Sequence, residues 1–199
     1  MPSSASSPPA IILASTSVYR RQLLERFGLP FDIHAPSVDE APLPGEAPTQ
    51  LAARLALAKA RAAIRQYPGA LVIGSDQVAA LGTGIFGKPG SLANAVAQLQ
   101  RMSGNEVLFH TAVALIDGRN GREQCENVLT RVRFRPLTEA GIHRYLEREP
   151  AFDCAGSAKC EGLGIALLDT LSSDDPTAIV GLPLIALARM LRAAGVELP

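Results

Sequence analysis

The chain has 199 residues, in which 19 lysines and arginines balance 19 aspartates and glutamates. This length suits one domain with a sizeable core, and a formal net charge of zero provides no overall field to recruit nucleic acid or an anionic membrane surface. Three cysteines without C-x-x-C spacing argue against a disulfide framework and a zinc site, and favour a cytoplasmic setting. We expect a flexible tail over residues 1–9 and a single domain over residues 10–199, with no membrane span.

Short apolar runs alternate with helical patterns in the first half of the chain. AIILA predicts a strand, a helix with Ser17 as its N-cap follows, and FDIHA predicts a second strand. A helix is predicted over residues 49–67, and ALVIG predicts a buried strand that ends at Ser75 and Asp76. A loop through FGKPG then leads to a helix that Ser91 caps. This alternation is typical of α/β proteins.

The second half of the chain adds antiparallel strands. Two long runs, EVLFHTAVALID and EQCENVLTRVRFRPL, flank GRNG and predict a hairpin. Thr138 is a candidate cap of a short helix, LGIALLDTL predicts another strand, and Pro183 fits the first turn of a last helix. We therefore predict an α/β fold with a mixed, twisted sheet and flanking helices.

Two arginines stand in the first turn of the helix that Ser17 caps. Arg20 and Arg21 face the positive end of the helix dipole, which disfavours each cation by roughly 0.3–1 kcal/mol at an exposed site. Backbone N–H groups at the same helix end attract anions, and a bound polyphosphate would offset the repulsion. Alternatively, both side chains bend into solvent or pair with carboxylates elsewhere. The sequence leaves both interpretations open.

Asp76 follows an apolar strand, and ligands of open α/β sheets collect at the carboxyl ends of strands. Glu40 in the polar loop, Lys59 on the second predicted helix and Lys88 in FGKPG are further candidates for a site that binds an anion. Each has an ordinary alternative as a turn or solvated residue. No P-loop signature and no GxSxG motif accompanies them, and the three histidines lack metal-ligand spacing.

Several motifs, taken together and in order, resemble those of the Maf proteins. This family comprises cytoplasmic nucleoside triphosphate pyrophosphatases, and its name came from an association with septum inhibition. The motifs that carry the resemblance are ILASTSVYRRQLL, VDE, LALAKA, VIGSDQV, GKPGS, MSGN, CAGSAKCEGLG and DPTAIVGLPL.

The resemblance implies an architecture and a reaction. It implies two α/β lobes around a cleft, as in inosine triphosphatases, and a divalent metal, Mg²⁺ or Mn²⁺. The implied reaction is hydrolysis between the α and β phosphates of a nucleoside triphosphate, with no nucleic acid polymer and no membrane as partner. Homodimerisation is an expectation at the level of the family.

The resemblance also suggests roles for the candidate residues. The aspartate that matches Asp76 is the family's proton acceptor, and we expect Glu40 and Asp76 to hold the metal. An ionised Asp76 near lysines is a weak base, so we expect metal-assisted activation of the attacking water. The residues expected to bind phosphate are Ser15, Arg20, Arg21, Lys59 and Lys88.

Three positions resemble the branch of the family that hydrolyses 7-methyl-GTP: Tyr19, Gln77 and Glu161. The branch that acts on dTTP and UTP typically has arginine, threonine and glutamine there. An aromatic face such as that of Tyr19 favours the cationic ring of 7-methylguanine, and a carboxylate such as Glu161 can accept the N1–H and N2–H₂ donors of guanine. The ordinary alternatives are a Tyr19 packed on the helix flank and a solvated Glu161.

We therefore predict a metal-dependent pyrophosphatase that converts 7-methyl-GTP to 7-methyl-GMP and diphosphate. One alternative is a pyrophosphatase for dTTP and UTP or for a broader set of modified nucleotides. Another is a non-catalytic, nucleotide-binding regulator of septum formation. Incubation with Mg²⁺ and nucleotides distinguishes them, because binding without product formation favours the regulator.

Overall fold

The computed structural model describes residues 9–199, so the predicted tail lies outside the described residues except for Pro9. The strands are β1 (Ile11–Ala14), β2 (Asp32–His34), β3 (Leu71–Leu81), β4 (Gly84–Phe86), β5 (Glu106–Asp117), β6 (Arg122–Phe134) and β7 (Leu168–Ser173). The α-helices are α1 (Val18–Glu25), α2 (Pro48–Ile64), α3 (Leu92–Met102), α4 (Glu139–Arg148) and α5 (Leu184–Ala193). Short 3₁₀ turns span Ala155–Ser157, Leu163–Leu167 and Ala178–Val180.

The strands form one mixed sheet of seven strands in the order β2-β1-β3-β5-β6-β7, with β4 beside β3. Strands β2 and β3 both run parallel to β1, whereas β4, β5, β6 and β7 pair in antiparallel fashion. The predicted hairpin is present as β5 and β6. The predicted α/β fold with a mixed sheet and flanking helices is therefore confirmed.

Strand β3 does not end at Asp76, so the predicted end of this strand is wrong. Asp76 pairs with Ala112, and the ladder to β5 continues through the polar residues. The other edge of β3 pairs with β1 as far as Gly74 and with β4 from Ala79 onward. Residues 75–78 lie between these two partners, which leaves an opening at this edge. Asp76 thus lies just beyond the carboxyl end of β1 rather than at the end of its own strand.

The segment LGIALLDTL forms a strand only in its second half. Its first half is a 3₁₀ turn, and the ladder between β6 and β7 has an irregular register between Arg133 and Phe134. Beyond that point the backbone N–H and the side-chain Nε of Arg135 donate to the carbonyls of Leu167 and Ala166, at 3.1 and 2.8 Å. These hydrogen bonds replace the regular ladder, so β7 begins only at Leu168, later than predicted, and it runs on to Ser173.

The helices begin where the sequence indicates. Ser17, Ser91 and Thr138 cap α1, α3 and α4 by accepting backbone N–H groups with their hydroxyls. Pro183 is the N-cap of α5, one position before the first turn in which it was predicted. No helix within residues 9–199 has both the length and the apolar character needed to cross a membrane.

The hydrophobic core consists of three clusters that divide between two regions of the sheet. One cluster packs α1 and α5 on one face of β1, β3 and β5, and a second packs α2 on the opposite face. The third packs α3 and α4 against the far parts of β5 and β6. The opening beside β3 lies where these two regions meet.

Candidate active site

A cavity of about 920 Å³ opens beside the central part of β3. Its walls come from both packed regions, since α1, α2 and the loop before α2 face β4 and the segment before the Ala155–Ser157 turn. The structure brings eight of the predicted site residues to this one cavity: Ser15, Tyr19, Arg20, Glu40, Lys59, Asp76, Gln77 and Lys88. It does not bring Arg21 or Glu161 there.

Alternation along β3 sends neighbouring side chains to opposite faces of the sheet. Asp76 faces α2, where its Oδ1 atom accepts a hydrogen bond of 2.6 Å from Nζ of Lys59. Ser75 and Gln77 face the other side and donate to carbonyls in the segment around the Ala178–Val180 turn. The continuous strand therefore fixes the position of Asp76 from both faces.

Gly74 allows α2 to lie close enough for Lys59 to reach Asp76. A Cβ atom at Gly74 would clash with the carbonyl oxygen of Ala56 and would lie 2.9 Å from the backbone nitrogen of Ala60. Both contacts are with helix backbone, which cannot move aside without displacing α2. A glycine inside a strand is expected at such a close approach.

Lys59 bridges two carboxylates. Its Nζ atom lies 2.6 Å from Oδ1 of Asp76 and 2.7 Å from Oε1 of Glu40. The side chains of Lys59 and Asp76 are 8% and 11% exposed, whereas that of Glu40 is 56% exposed. Burial by itself would raise the pKa of Glu40, but the hydrogen bond and charge of Lys59, with further attraction from Lys88 and Arg20, lower it below its ordinary value.

A second ion pair ties the loop of Glu40 to α2. Nε and Nη2 of Arg54 donate to the two carboxylate oxygens of Glu46, at 2.6 and 2.8 Å, and Nη2 also donates to the carbonyl of Ala41 at 2.9 Å. These hydrogen bonds hold the pKa of Glu46 at about 2. Because Arg54 and Lys59 share one helix, the loop and the lysine are held by the same element.

Arg20 points into the cavity from the first turn of α1. Its Nε atom donates to the carbonyl of Gly181 at 2.8 Å, and its Nη1 atom donates to Oγ of Ser15 at 3.4 Å. Burial lowers the pKa of Arg20, while the charges of Asp76 and Glu40 act in the opposite direction. Gly181 has a φ of 117°, a left-handed conformation that favours glycine, and it directs its carbonyl toward the guanidinium.

Asp175 organises the segment that supplies the Gly181 carbonyl, and the sequence analysis did not single it out. Its Oδ2 atom accepts the backbone N–H groups of Ile185 and Ala186 at the start of α5, at 2.7 and 3.2 Å. Its Oδ1 atom accepts the Thr177 hydroxyl at 2.7 Å. The motif DPTAIVGLPL contains Asp175, Thr177 and Gly181, and Ile185 and Ala186 follow it directly, so its residue types carried a signal for part of this arrangement.

The side-chain amide nitrogen of Gln77 donates hydrogen bonds to other groups of the protein. Nε2 lies 2.9–3.0 Å from the carbonyls of Ala178 and Ile179 and from Oγ1 of Thr111. Within residues 9–199 its carbonyl oxygen makes no such hydrogen bond, so this oxygen is the polar atom of Gln77 that a ligand could meet.

Arg21 lies on the outer side of α1. Its Nε atom donates to Oε1 of Glu25 at 2.9 Å, and its side chain is 57% exposed. Consecutive helical residues point about 100° apart, so a helix that turns Arg20 inward turns Arg21 toward solvent. The geometry matches the alternative that Arg21 pairs with a carboxylate and does not support phosphate binding by this residue. Glu161 is likewise exposed and outside the cavity wall, in the loop between two 3₁₀ turns.

Two residues that contact Tyr19, Asp153 and Lys159, were missed by the sequence analysis, and the first of them lines the cavity. The Tyr19 hydroxyl donates to Oδ2 of Asp153 at 3.1 Å. Nζ of Lys159 lies 3.0 Å from Oδ1 of Asp153 and 5.4 Å from the centre of the Tyr19 ring. Asp153 lies just before the motif CAGSAKCEGLG and Lys159 lies within it, but the residue types alone do not indicate a contact with Tyr19.

The carboxylates of the site suit a hard divalent cation bound together with substrate. Glu40 and Asp76 offer oxygen donors on either side of the Lys59 ammonium group. Within residues 9–199, no three or more His, Cys, Asp or Glu side chains cluster in a way that could hold a metal ion. Mg²⁺ in phosphoryl-transfer sites is usually held by one or two carboxylates, by water and by substrate phosphates, and the residues present fit that pattern.

The chain is similar over nearly its whole length to known proteins. A protein of Aromatoleum aromaticum named 7-methyl-GTP pyrophosphatase is 64% identical over 189 residues, which cover 95% of this chain and 97% of the relative. Proteins of the same name from Burkholderia pseudomallei and Xanthomonas oryzae pv. oryzae are each 61% identical, over 98% and 96% of this chain and 92% and 100% of the relatives. Residues 10–194 match the model of the Maf-like protein family. The chain therefore belongs to the Maf-like protein family.

Proposed function

We propose that this protein hydrolyses 7-methyl-GTP to 7-methyl-GMP and diphosphate. The observation that carries the proposal is a single cavity that joins the buried Lys59–Asp76 pair and Arg20 with the aromatic side chain of Tyr19. Relatives that are 61–64% identical over nearly their whole length are named 7-methyl-GTP pyrophosphatase. The cavity provides both the charge that a triphosphate requires and an aromatic face for a base.

Arg20, Lys59 and Lys88 would neutralise the phosphates. Arg20 is half-buried and its Nε atom donates to the carbonyl of Gly181, so its guanidinium is held in place before a ligand arrives. Donors that are fixed in advance where charge develops stabilise a transition state without reorganisation. Ser15 is 4% exposed and adds a hydroxyl beside the guanidinium. Arg21 is not part of this proposed phosphate site.

Glu40 and Asp76 would hold a divalent cation, Mg²⁺ or Mn²⁺. When bound, such an ion supplies Lewis-acid stabilisation of phosphate oxygens and lowers the pKa of bound water. The role of Lys59 in this site is to hold the two carboxylates close together. The protein thereby supplies a preorganised pair of hard oxygen donors.

Asp76 would orient the attacking water and accept its proton. Oδ1 of Asp76 is occupied by Lys59, and among the described residues no hydrogen bond reaches Oδ2. That second oxygen is therefore the proposed proton acceptor. Water attack breaks the P–O bond between the α and β phosphates, and diphosphate leaves with the electron pair of that bond. Arg20 and Lys88 would stabilise its charge.

The purified protein tests this proposal with a panel of 7-methyl-GTP, GTP, ITP, dTTP and UTP, with Mg²⁺ or Mn²⁺ supplied. We expect diphosphate release to be fastest from 7-methyl-GTP and to stop when EDTA removes the metal. Faster hydrolysis of dTTP or UTP would contradict the proposed substrate, and binding without any product would favour a regulatory protein instead.

Asp76→Asn provides the mechanistic test. Loss of a positioned general base costs about 10²–10⁴-fold in rate, so we expect kcat to fall by that amount while thermal unfolding stays cooperative. A folded Asp76→Asn variant that releases diphosphate at the wild-type rate would remove Asp76 from the mechanism.

We also propose a cytoplasmic setting and a homodimer. Light scattering during size-exclusion chromatography measures the molar mass of the purified protein and so tests for the homodimer.

A further inference from the structure

Residues 87–91, called here the Lys88 loop, join β4 to α3 and carry Lys88 into the cavity wall. Lys88 itself is exposed and lines the cavity. The loop is anchored at both ends. Before it, Phe86 is buried in the cluster that contains α3, and within it the backbone N–H of Gly90 donates to the carbonyl of Phe152 at 3.1 Å.

Two side-chain amides of α3 hold the backbone on either side of Lys88. Nε2 of Gln98 donates to the carbonyl of Gly87 at 3.1 Å, and Nδ2 of Asn94 donates to the carbonyl of Pro89 at 2.9 Å. Asn94 and Gln98 are four residues apart, so both lie on the same face of the helix. The helix therefore sets the position from which the Lys88 side chain extends.

Gln98 differs from Asn94 in having a second partner. Its Oε1 atom accepts a hydrogen bond of 2.6 Å from the hydroxyl of Ser157. The carbonyl of Gly87 can only accept, so the amino end of Gln98 must face Gly87 and the oxygen must face Ser157. A carboxamide that is held at both ends has a single orientation.

The turn that contains Ser157 is a fixed partner. Ser157 is fully buried and, in the part of the chain that the structure describes, is the one non-glycine residue with a positive φ, at 54°. Such a conformation persists only where the surroundings determine it, and it is often found at functional sites. A Cβ atom at the preceding Gly156 would lie 3.2 Å from the Phe109 ring, so the turn packs closely on the core.

We propose that Gln98 is a positioning residue that fixes the Lys88 loop, so that the ammonium group of Lys88 meets the phosphates of a bound nucleotide. Gln98 lies outside the cavity wall, so it acts through Lys88 and does not touch the substrate. Ser157 orients the carboxamide that does this. The inference rests on the proposed function, because it requires Lys88 to contact phosphate.

A double-mutant cycle tests whether Gln98 acts through Lys88. Gln98→Met keeps the length of the side chain but can no longer donate to Gly87. Because a misplacement of about 1 Å can cost up to about 10²-fold in rate, we expect this variant to lower kcat/KM for the preferred nucleotide about 10-fold. In the Lys88→Met background the same substitution should change kcat/KM less than about twofold, since the group that Gln98 positions is gone.

The Arg20→Gln background provides the comparison, because Arg20 is held separately by Gly181 and Ser15. There we expect Gln98→Met to keep its effect of about 10-fold. A merely structural role of Gln98 would lower kcat/KM by the same factor in all backgrounds. An equal factor in wild type and in Lys88→Met, or a factor that vanishes in Arg20→Gln as well, overturns the inference.

Gln100→Met is the matched control. Gln100 has the same side chain on the same helix but is exposed. We expect its kcat/KM to stay within about twofold of wild type, and circular dichroism checks that all variants are folded. A loss in Gln100→Met equal to that in Gln98→Met would show a general effect of the helix and would overturn the inference.

A binding measurement separates this inference from the proposed function. Calorimetry measures the Kd of each variant for a GTP analogue in which a methylene group replaces the oxygen between the α and β phosphates. If Gln98 and Lys88 are coupled in Kd but the wild type releases no diphosphate, the inference stands and the proposed hydrolysis is wrong. If the wild type releases diphosphate and the two substitutions act independently, only the role of Gln98 is wrong. A wild type that neither binds the analogue nor releases diphosphate overturns both.

Discussion

Arg20 and Arg21 are consecutive residues in the first turn of α1, and they lie in very different surroundings. Arg20 is half-buried, donates to Gly181 and Ser15, and faces the charges of Asp76 and Glu40. Arg21 is exposed and, among residues 9–199, pairs only with Glu25, one helical turn away on the same helix. Two side chains of the same type thus have different surroundings. Arg20 belongs to a network on one face of the helix, and Arg21 belongs to an isolated surface pair on the other.

This difference explains why two cations are tolerated at the positive end of a helix dipole. On the inner face, two carboxylates offset the unfavourable interaction of Arg20 with the dipole. On the outer face, water and Glu25 weaken the interaction of Arg21 with the helix end. Charge pattern alone does not distinguish these cases, since it is the direction of each side chain that decides which partners it meets.

Among the charged residues on the inner side of α1, we expect substitution of the most buried cation, Lys59, to lower the free energy of unfolding most. Lys59→Met leaves Asp76 and Glu40 without the ammonium group between them, and breaking a buried ion pair costs about 3–5 kcal/mol. We expect urea denaturation to show a loss of this size in the free energy of unfolding. Arg61→Met is the control, because Arg61 lies on the same helix in an exposed pair with Glu123 that contributes about 1 kcal/mol or less. Equal losses of unfolding free energy in Lys59→Met and Arg61→Met would contradict the expected difference between a buried and an exposed ion pair.

Arg20→Gln should affect catalysis strongly. Removing a fixed donor to developing negative charge typically lowers the rate by about 10²–10³-fold, and we expect kcat/KM for the preferred nucleotide to fall by that amount. Steady-state kinetics of diphosphate release measure the loss, and circular dichroism checks that the variant is folded. An Arg20→Gln variant with near-normal kinetics would mean that phosphate binds elsewhere.

Glu40, the exposed partner of Lys59, should have a smaller effect, which appears in the pH dependence of stability. Because the pKa of Glu40 is lowered in the folded protein, its carboxylate contributes stability that is complete above its ordinary pKa and is lost as the pH falls through the lowered value. We expect wild type to exceed Glu40→Gln in unfolding free energy by a constant amount above about pH 5, and by less as the pH falls toward 3. A difference that grows in acid would have the wrong sign.

Arg21→Gln should have the smallest effect of the four. An exposed pair between residues i and i+4 contributes about 0.3–0.5 kcal/mol, so we expect little change in unfolding free energy and less than a twofold change in kcat/KM. The same assays that measure Arg20→Gln measure this variant. A loss in Arg21→Gln comparable to that in Arg20→Gln would remove the distinction between the two faces.

Most of the secondary structure followed from local patterns. Helix caps at Ser17, Ser91 and Thr138 and the alternation in β6 are signals within a few residues of each element. The continuation of β3 past Asp76 has a different origin, because it depends on pairing with β5, more than thirty residues away. Local polarity suggested an end to the strand, and a distant partner prevented it.

The residues of the candidate site also differ in whether local sequence patterns could indicate them. Residues such as Asp76, Lys59 and Arg20 could be proposed because their motifs combine charge with a recognisable strand or helix. Asp153 and Glu161 could not be told apart, because their positions depend on an irregular loop in which Gly156 and Ser157 have positive φ angles of 76° and 54°. Such a loop has no periodic pattern from which the direction of a side chain can be read.

One short helical turn connects both ends of the cavity. Tyr19 and Arg20 are adjacent in α1, and their side chains reach Asp153 and Gly181 respectively. A compound that stacks on the phenol ring and also meets the guanidinium must match a separation that the rigid backbone sets. The first turn of α1 therefore selects ligands by distance. A ligand fits when the linker between its aromatic group and its nearest anionic group has the right length, however tightly each group binds by itself.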